Sequence, residues 1–494
     1  MLQPTRQLLD LLNGLKACVL TGLTRRPVQH LTADSRHVVP ESLFVALRGA
    51  HADGHRFLDA ALDQGATVLV VEECPPALQQ RAQQAGCTVV QVPNSRQAFA
   101  LLASAYYGHP GQHLRLIGIT GTNGKTTTSY IVESILQAAG KAVGVIGTVN
   151  YRLGAQHLPA SHTTPDALQL HELLAQMVQA HIGYTVLEVS SHALDQERVW
   201  GCRFEAAVFT NLSRDHYDYH GTAEAYFAAK ARLFQDLPAV WHIINLDDPY
   251  GQRLLHMSRA RLLTYGLEGE ATCKPSAVQH GLAGIRFTLS TTKGQLEIAS
   301  PLVGRHNVYN LLAGIAVAIA LDIDAGAITQ GIAQLQRVPG RLERVDGGQD
   351  FAVFVDYAHT PDALEQVLQL VRAETTGRLI TVFGCGGDRD PGKRPLMGQV
   401  ATRLSHYTII TSDNPRTEDP QRIIEAIVTG IEGGGDYVTI PDRQEAIEHA
   451  IAVAQPQDTI VIAGKGHEDY QILGQTRRHF DDCEVARAAL AQRQ

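Results

Sequence analysis

The sequence predicts an α/β protein of three domains, with a parallel sheet in the middle of the chain and a second α/β domain at its carboxyl end. Three observations lead to this prediction. The chain has 494 residues, more than a single hydrophobic core usually organises. Apolar, strand-like segments alternate with helix-like segments, which is typical of parallel sheets covered by helices. Segments containing Gly and Pro at 108–111 and 338–340 separate blocks that we predict as domains 1–108, 109–338 and 339–494.

Composition narrows the class of protein. Apolar residues make up 44% and charged residues 19% of the chain, as in soluble globular proteins, and the net charge of −8 argues against a nucleic-acid binder. The longest apolar run, 311–321, is well short of the ~18 residues that cross a bilayer. Polar residues interrupt the amino-terminal apolar pattern, unlike a signal peptide, and the seven cysteines form no C-x-x-C pair. We expect a cytoplasmic protein that binds no nucleic acid and does not insert into membranes.

Strand-like segments occur in every block, and polar residues follow many of them. The first block holds SLFVAL and ATVLVVEE, the second LRLIGIT, AVGVIGT, YTVLEVS, AAVFTNL and WHIINL, and the third FAVFVDY, LITVFGC, YTIITS and TIVIAG. In open α/β sheets ligands bind outside the carboxyl ends of the strands. The polar residues after these segments are therefore the first candidates for a functional site.

A phosphate-binding loop is predicted where LRLIGIT runs into GTNGKTTT, residues 121–128, and then into a helix. In a P-loop, backbone N–H groups and a helix amino terminus hold phosphate, a lysine neutralises it, and a hydroxyl reaches Mg²⁺. Here those roles fall to Lys125 and Thr126, although Ile119 stands where the usual spacing has its first Gly. A tight turn with an exposed lysine is the alternative, which the strand-to-helix junction disfavours. The predicted ATP-binding residues of this loop are Gly121, Thr122, Asn123, Gly124, Lys125, Thr126 and Thr127.

Acidic and imidazole side chains follow two further strands of the central block. Glu188 ends YTVLEV, where a carboxylate beside a P-loop is placed to hold Mg²⁺. His216 belongs to the crowded segment NLSRDHYDYHG after AAVFTNL. A carboxylate leaving the sheet and a solvated turn are the alternatives. We predict that both segments are functional, because both strands end at the same sheet edge.

Lys230 lies on the apolar face of a predicted helix. Tyr226 and Phe227 precede it by four and three residues, and Leu233 and Phe234 follow it by three and four. Burial lowers the pKa of an ammonium group, and a neutral lysine amine reacts with CO₂ to give an anionic carbamate. A lysine that extends its ammonium to solvent is the alternative.

These segments together resemble the Mur ligase family, and the resemblance extends over all three blocks. The motifs that carry it are Asp34-Ser-Arg, Asp53-Gly-His, GTNGKTTT, EVSSHAL, NLSRDHYDYHG, GRHN, GRLE, DYAHTPDAL and GKGHE. The resemblance implies a UDP-substrate domain, a central P-loop domain and a carboxyl-terminal Rossmann-like domain that binds an amino acid. It also implies an ATP-dependent ligase of peptidoglycan precursor synthesis, with ATP as co-substrate and Mg²⁺ as cofactor.

The same resemblance implies roles for individual residues. It makes Lys230 a carboxylated lysine that holds a second Mg²⁺, beside Thr126, Glu188 and His216. The nucleotide contacts are Asn307, Arg341 and Asp356, and the contacts to UDP-N-acetylmuramoyl dipeptide are Ser35, Thr163, Thr164, Ser190, Gln196 and Arg198.

The segment Asp413-Asn414-Pro415-Arg416 predicts which amino acid is added. Turn chemistry explains Asn-Pro but does not call for the arginine. Meso-diaminopimelate carries one carboxylate more than lysine, and a guanidinium binds a carboxylate with two hydrogen bonds. The motif resembles that of diaminopimelate-adding members, which adds Arg389, Gly464 and Glu468 to the predicted pocket.

Three alternatives share part of these features. Another Mur-type ligase or a folylpolyglutamate synthase would also carry the P-loop. The DNPR motif and the DSR and DGH segments favour neither of them. A non-catalytic protein that binds ATP and wall precursors is disfavoured by Glu188, His216 and Lys230 together.

Overall fold

The computed structural model describes residues 5–49, 52–291, 294–431, 433 and 435–493. The chain forms two compact units. One comprises Met1–Ser276, Thr288–Glu297 and Tyr309–Ile332, and the other comprises Ala277–Phe287, Ile298–Val308 and Ala333–Gln494. The three domain boundaries predicted from the sequence stay predictions.

The first hundred residues build a small α/β sheet. Its elements are β1 Arg6–Gln7, α1 Leu8–Leu11, β2 Cys18–Thr21, β3 Pro27–Val28, β4 His30–Thr32, β5 Ser42–Val45, α2 Leu58–Asp63, β6 Val68–Val71, α3 Pro76–Gln84, β7 Thr88–Gln91 and α4 Ser95–Tyr106. The sheet has the order β2-β7-β6-β5-β4, in which β4 to β7 are parallel and β2 is antiparallel to β7. The predicted strands SLFVAL and ATVLVVEE correspond to β5 and β6.

The next region contains the largest sheet. Its elements are β8 Arg115–Thr120, α5 Lys125–Ala138, β9 Val143–Ile146, β10 Asn150–Leu153, β11 Gln156–Pro159, α6 Ala167–Gln179, β12 Tyr184–Glu188, α7 Ser191–Asp195, β13 Phe204–Phe209, α8 Tyr217–His220, α9 Ala223–Gln235, β14 Ala239–Asn245, α10 Pro249–Met257 and β15 Arg261–Tyr265. The eight strands have the order β11-β10-β9-β12-β8-β13-β14-β15. Six neighbouring strands of this sheet are parallel, as the sequence predicted: β9, β12, β8, β13, β14 and β15.

The position of β8 in this sheet matters for ligand binding. Chain order changes direction at β8, because β12 and β9 lie on one side and β13, β14 and β15 on the other. A crevice opens beyond the carboxyl ends of strands at such a switch point, and ligands bind there. The predicted P-loop follows β8 directly, at this point of the sheet.

A short region connects this sheet to the carboxyl-terminal one. Its elements are β16 Pro275–Gly281, β17 Gly284–Thr291, β18 Gly294–Ser300, α11 Arg305–Ala320 and α12 Ala325–Gln334, with the three strands in one sheet.

The carboxyl-terminal region is a second α/β sheet, as predicted. Its elements are β19 Glu343–Arg344, β20 Ala352–Asp356, α13 Pro361–Glu374, β21 Leu379–Phe383, α14 Lys393–Leu404, β22 Tyr407–Ile410, α15 Pro420–Val428, β23 Tyr437–Thr439, α16 Arg443–Val453, β24 Thr459–Ala463, β25 Tyr470–Leu473, β26 Thr476–His479 and α17 Asp482–Arg493. The six-stranded sheet has the order β19-β20-β24-β21-β22-β23, parallel except for β19. The strands β25 and β26 form a separate hairpin.

Burial of the central strands explains why they are continuous apolar runs. All five residues of β21 and all five of β24 are buried, because helices cover both faces of the sheet. Removing one such large apolar side chain from water stabilises the fold by about 1.5–3 kcal/mol. No helix in the described part of the chain is long and apolar enough to cross a bilayer.

Candidate active site

The loop after β8 has the backbone geometry of a phosphate-binding turn. Gly124 precedes α5 with a φ of 87°, a left-handed conformation that glycine adopts without a Cβ clash. Asn211 braces the loop, because its carbonyl oxygen accepts from Thr122 N at 2.8 Å and its Oδ1 accepts from Asn123 N at 3.0 Å. The first N–H groups of α5 then point out of the turn, as an anion requires.

Two lysines converge on this loop. The Nζ atoms of Lys125 and Lys230 both donate to the carbonyl oxygen of Gly121, at 2.8 and 2.9 Å. Lys230 lies in α9 with 1% of its surface exposed, and its Nζ is 4.4 Å from the centroid of the Tyr226 ring. The predicted helix and the predicted burial of Lys230 are confirmed. Burial, and then the charge of Lys125, hold the pKa of Lys230 well below its ordinary value.

Glu188 is a buried carboxylate at the carboxyl end of β12, next to the P-loop helix. Its Oε2 accepts from the hydroxyls of Thr126 and Thr148, each at 2.9 Å, and its Oε1 accepts from Thr148 N at 3.1 Å. A hydroxyl and a carboxylate at this edge are hard oxygen ligands of the type that Mg²⁺ prefers. Among the described residues, no three His, Cys, Asp or Glu side chains are grouped to hold a metal, so protein ligands would include Thr126. This donor set fits Mg²⁺, which keeps several waters, better than a transition metal.

His216 lies at the start of α8, beside the same loop. It has a φ of 54°, and its Nε2 is 3.4 Å from Asp215 Oδ2. Burial lowers the pKa of His216. The charge of Asp215 raises this pKa, whereas the charges of Lys125 and Lys230 lower it further. The ring centroid of His192 is 4.8 Å away, and burial lowers the pKa of His192 to about 4. Neutral imidazoles therefore stand beside the two lysines.

The residues predicted to bind the UDP-linked substrate fall beside Glu188, except for one. Thr164 Oγ1 donates to the carbonyl oxygen of Glu188 at 2.7 Å and accepts from Ser190 N at 3.0 Å. The Nη1 of Arg198 donates to the carbonyl oxygen of Thr164 at 2.6 Å. Three more contacts complete the group: Thr163 Oγ1 with Thr148 Oγ1 at 3.1 Å, Arg198 Nη2 with Gln196 Oε1 at 2.8 Å, and Gln196 Nε2 with Tyr219 Oη at 3.3 Å. Ser35 begins a separate 3₁₀ turn, Ser35–His37.

A second group of predicted residues lies in the carboxyl-terminal unit. Asp356 ends β20, where its carboxylate accepts from Leu342 N at 2.8 Å and Ala358 N at 2.9 Å. Arg341 lies over the Tyr357 ring, 5.2 Å from its centroid. Burial raises the pKa of Asp356, although the Arg341 charge opposes this shift. Asn307 is buried, and its Nδ2 donates to the carbonyl oxygen of Val303 at 2.8 Å.

The DNPR segment follows β22 and meets the segment after β24. Asn414 Nδ2 donates to Glu468 Oε2 at 2.7 Å, and Lys465 Nζ is 3.3 Å from both Asn414 Oδ1 and Glu468 Oε2. Gly464 has a φ of 117°, and a Cβ there would lie 2.6 Å from Asp413 Oδ2. The four residues Asp413, Asn414, Gly464 and Glu468 therefore lie together. Their assignment to an amino-acid pocket stays a prediction.

Arg416 is held in an unusual backbone conformation at the end of this segment. Its φ is 53°, and hydrogen bonds fix the strained residue from both sides: Arg416 N to Ile472 O at 3.1 Å and Gly474 N to Arg416 O at 2.7 Å. Its Nη1 donates to the carbonyl oxygen of Gly387 at 2.7 Å. Arg389 is exposed in the segment that follows β21. Gly386 lies between the two arginines, because a Cβ there would be 2.9 Å from Arg416 Nη1 and 3.9 Å from Arg389 Cγ.

Sequence reasoning missed several side chains of both groups. Thr148 was not singled out, although it holds both oxygens of Glu188. Lys465 and Tyr357 lie inside the motifs GKGHE and DYAHTPDAL, so the motifs marked their neighbourhood but not their contacts. Asn211 likewise lies inside the motif NLSRDHYDYHG, which marked its neighbourhood but not its contacts with the P-loop.

Comparisons with known proteins agree with this geometry. Three family models match: "Mur ligase family, catalytic domain" over residues 27–107, "Mur ligase middle domain" over 119–318, and "Mur ligase, glutamate ligase domain" over 340–466. The chain belongs to the Mur ligase family. Mur ligases are ATP-dependent enzymes that form amide bonds, so the predicted fold and enzyme class are confirmed.

Two relatives and one solved structure show how far the similarity of this Mur ligase extends. UDP-N-acetylmuramoyl-L-alanyl-D-glutamate–2,6-diaminopimelate ligase of Gloeobacter violaceus is 48% identical, over 96% of this chain and 97% of the relative. The enzyme of the same name from Geobacillus thermodenitrificans is 46% identical, over 94% and 95%. A solved structure with that name is 36% identical over 99% of each chain, with a TM-score of 0.72.

Proposed function

We propose that this Mur ligase joins meso-2,6-diaminopimelate to the D-glutamate side-chain carboxylate of UDP-N-acetylmuramoyl-L-alanyl-D-glutamate, at the expense of ATP, in peptidoglycan precursor synthesis. The observation that carries the proposal is that Asn414 Nδ2 donates to Glu468 Oε2 at 2.7 Å, while Asn414 and Arg416 both bond to the main chain of Ile472. One end of diaminopimelate carries an ammonium and a carboxylate together. Glu468 pairs with the ammonium, and the guanidinium of Arg416 pairs with the carboxylate that lysine lacks.

The remaining pocket residues complete the recognition of diaminopimelate. Burial raises the pKa of Glu468, while Lys465 opposes this shift. The Lys465 ammonium therefore favours the ionised form of Glu468, and this carboxylate form is the one that pairs with an incoming ammonium group. Burial, and then the charge of Glu468, raise the pKa of Tyr470, while the charges of Arg477 and Arg416 oppose this shift. The proposed diaminopimelate-binding residues are Arg389, Asp413, Asn414, Pro415, Arg416, Gly464 and Glu468.

Residues of the P-loop and of the two neighbouring strand ends bind ATP and activate the acceptor. The loop from Gly121 to Thr127 and Lys125 hold the phosphates, and Asn307, Arg341 and Asp356 are proposed to contact the nucleotide. Thr126, Glu188, His216 and Lys230 as its carbamate would hold Mg²⁺, which supplies Lewis-acid stabilisation of charge on the transferred phosphoryl group. The UDP-linked substrate is proposed to bind Ser35, Thr163, Thr164, Ser190, Gln196 and Arg198.

The proposed amide-bond formation proceeds in two steps. The D-glutamate carboxylate oxygen attacks the γ-phosphorus of ATP, which gives an acyl phosphate and ADP. The diaminopimelate amine then attacks the acyl carbon, and the amide forms as inorganic phosphate and a proton leave. Lys125 compensates the negative charge that gathers when a carboxylate meets a triphosphate.

Phosphate release measured with substrates omitted in turn tests the proposal. We expect release only when ATP, the UDP-linked dipeptide and diaminopimelate are all present. Replacement of diaminopimelate by lysine, D-alanyl-D-alanine or glutamate serves as the control for other amino-acid specificities. Equal turnover with one of these, or release without any amino acid, would contradict the proposed substrate.

A further inference from the structure

Behind the proposed diaminopimelate pocket lies a fully buried ion pair that the reaction itself does not use. Arg443 begins α16 and Asp482 begins α17, and both side chains have 0% of their surface exposed. Arg443 Nε donates to Asp482 Oδ1 and Nη2 donates to Oδ2, each at 2.7 Å. This two-pronged pairing leaves the rest of the guanidinium available for other acceptors.

Those further acceptors are two backbone carbonyls at the carboxyl end of the sheet. Arg443 Nη2 donates to the carbonyl oxygen of Ala463 at 3.0 Å, and Nη1 donates to that of Ser412 at 3.4 Å. Ser412 directly precedes Asp413, the first residue of DNPR, and Ala463 directly precedes Gly464. One planar side chain thus ties together the starts of both segments that form the pocket.

The electrostatic surroundings agree with this placement. Burial disfavours the charged guanidinium, but Asp482, followed by Asp413 and Glu468, raises the pKa of Arg443 above its ordinary value. The Arg443 guanidinium is therefore stabilised by the charges of Asp413 and Glu468 in the proposed pocket as well as by its own partner Asp482.

We infer that Arg443, held by Asp482, is a positioning residue that sets the spacing of the DNPR and GKGHE segments and thereby the affinity for the incoming amino acid. A buried ion pair is weak evidence for stability alone, because desolvation offsets most of its attraction. A rigid, bidentate guanidinium does what apolar packing would not, since it holds two carbonyls at a set separation. The inference rests on the proposed function, in which these two segments bind diaminopimelate.

The test compares Arg443→Lys with a control at the opposite edge of the same sheet. An ammonium keeps the charge but does not reach Asp482 and both carbonyls together. We expect KM for diaminopimelate to rise about 10- to 100-fold, the effect of small misplacements in a binding site. Both kcat and the KM for the UDP-linked dipeptide should change less than about twofold, because the residues proposed to bind the dipeptide surround the end of β12.

Arg378→Lys is the matched control. Arg378 and Asp458 directly precede β21 and β24, and Arg378 Nη2 lies 2.7 Å from Asp458 Oδ2 and 2.8 Å from the carbonyl oxygen of Val453. This pair also joins a guanidinium to a buried carboxylate and a carbonyl, but at the amino ends of the strands. Its variant should lower Tm and leave KM for diaminopimelate unchanged.

The results of these measurements distinguish a failure of the positioning role of Arg443 from a failure of the proposed function. If Arg443→Lys does not fold, Asp482→Asn removes the charge at constant shape, and the same KM criterion applies to it. An unchanged KM for diaminopimelate in a folded variant, or an equal rise in the Arg378→Lys control, would overturn the positioning role. A wild-type enzyme that releases no phosphate with diaminopimelate would instead overturn the proposed function.

Discussion

At the scale of single residues, Lys230 shows how burial changes the chemistry of a side chain. Its ammonium would share the Gly121 carbonyl with Lys125, so two like charges would meet in a site shielded from water. The low pKa that results leaves a neutral amine available. Reaction with CO₂ gives a carbamate and releases one proton, and the new anion would be attracted by Lys125 instead of repelled.

We predict that Lys230→Ala is nearly inactive. The variant removes the proposed carbamate, and loss of a metal-supporting group lowers turnover by more than about 100-fold. The measurement is phosphate release under saturating substrates, with added acetate or formate as a replacement for the missing carboxylate. Partial recovery with these anions supports the carbamate, and circular dichroism checks the fold, because alanine is well tolerated in helices.

A near-normal rate in Lys230→Ala would contradict this role. Labelling with ¹³CO₂ provides an independent measurement, because the carbamate carbon has its own resonance in wild type and none in the variant. Lys125→Ala, which keeps Lys230, is the matched control for the assignment of that resonance.

The proposed preference of Arg416 for diaminopimelate depends on the planar shape of the guanidinium rather than on its charge alone. Its main chain is held at a φ of 53°, and its side chain reaches the Gly387 carbonyl, so the guanidinium is already oriented. We predict that Arg416→Lys loses most of its preference for diaminopimelate over lysine, because an ammonium does not make the planar two-pronged contact. Rates of amide formation with the two amino acids measure this, and an unchanged ratio would show that the pocket is assigned wrongly.

At the scale of elements, the residues proposed to bind ATP and those proposed to bind the UDP-linked substrate lie at the ends of different strands. The first set follows β8, and most of the second set surrounds the end of β12. The loop residues contact Asn211 after β13, whereas the hydroxyls proposed for the UDP-linked substrate surround the end of β12. Glu188 joins the two sets, because its carboxylate accepts from Thr126 and its carbonyl oxygen accepts from Thr164. A change in the loop should therefore affect ATP use first.

We predict that Lys125→Ala abolishes turnover while binding of the UDP-linked dipeptide stays within about threefold of wild type. The lysine is proposed to compensate phosphate charge, and its ammonium donates to the carbonyl oxygens of Gly121 and Thr122. Thr164 and Ser190 lie instead at the end of β12, and residues without shared partners act nearly independently. Isothermal titration calorimetry with the dipeptide measures binding. A folded variant that loses both properties would show that the two sites are not separate.

At the scale of the whole molecule, the hydrophobic cores do not depend on the metal. The strands around Glu188 bury apolar residues such as Val186 and Leu187 completely, and the proposed ligands stand only at the sheet edge. Proteins that need a metal to fold lack such cores. The enzyme should therefore be folded with and without Mg²⁺.

We predict that chelation of Mg²⁺ by EDTA abolishes phosphate release, leaves Tm of the substrate-free enzyme unchanged, and is reversed when Mg²⁺ is restored. Differential scanning fluorimetry and the phosphate assay measure the two properties on one sample. The Lys230→Ala variant under the same treatment is the control for effects unrelated to the metal. A large fall in Tm on chelation would mean that the metal stabilises the fold.

Features that depend on residues close together in the chain could be predicted from the sequence. The P-loop, the strands before it and after it and the helix that buries Lys230 follow from local periodicity and turn chemistry. The α/β class and the family were predicted for the same reason, since motifs at strand ends keep their order along the chain.

Which strand ends lie next to each other depends on the order of the strands in each sheet. Strand order brought Asn211 to the P-loop, Thr148 to Glu188, and Lys230 to the carbonyl that Lys125 also uses. It also placed Arg443 and Asp482 beneath two segments about fifty residues apart, where no local pattern marks them. Such contacts depend on long-range strand pairing and burial, and no neighbouring residues in the chain encode them.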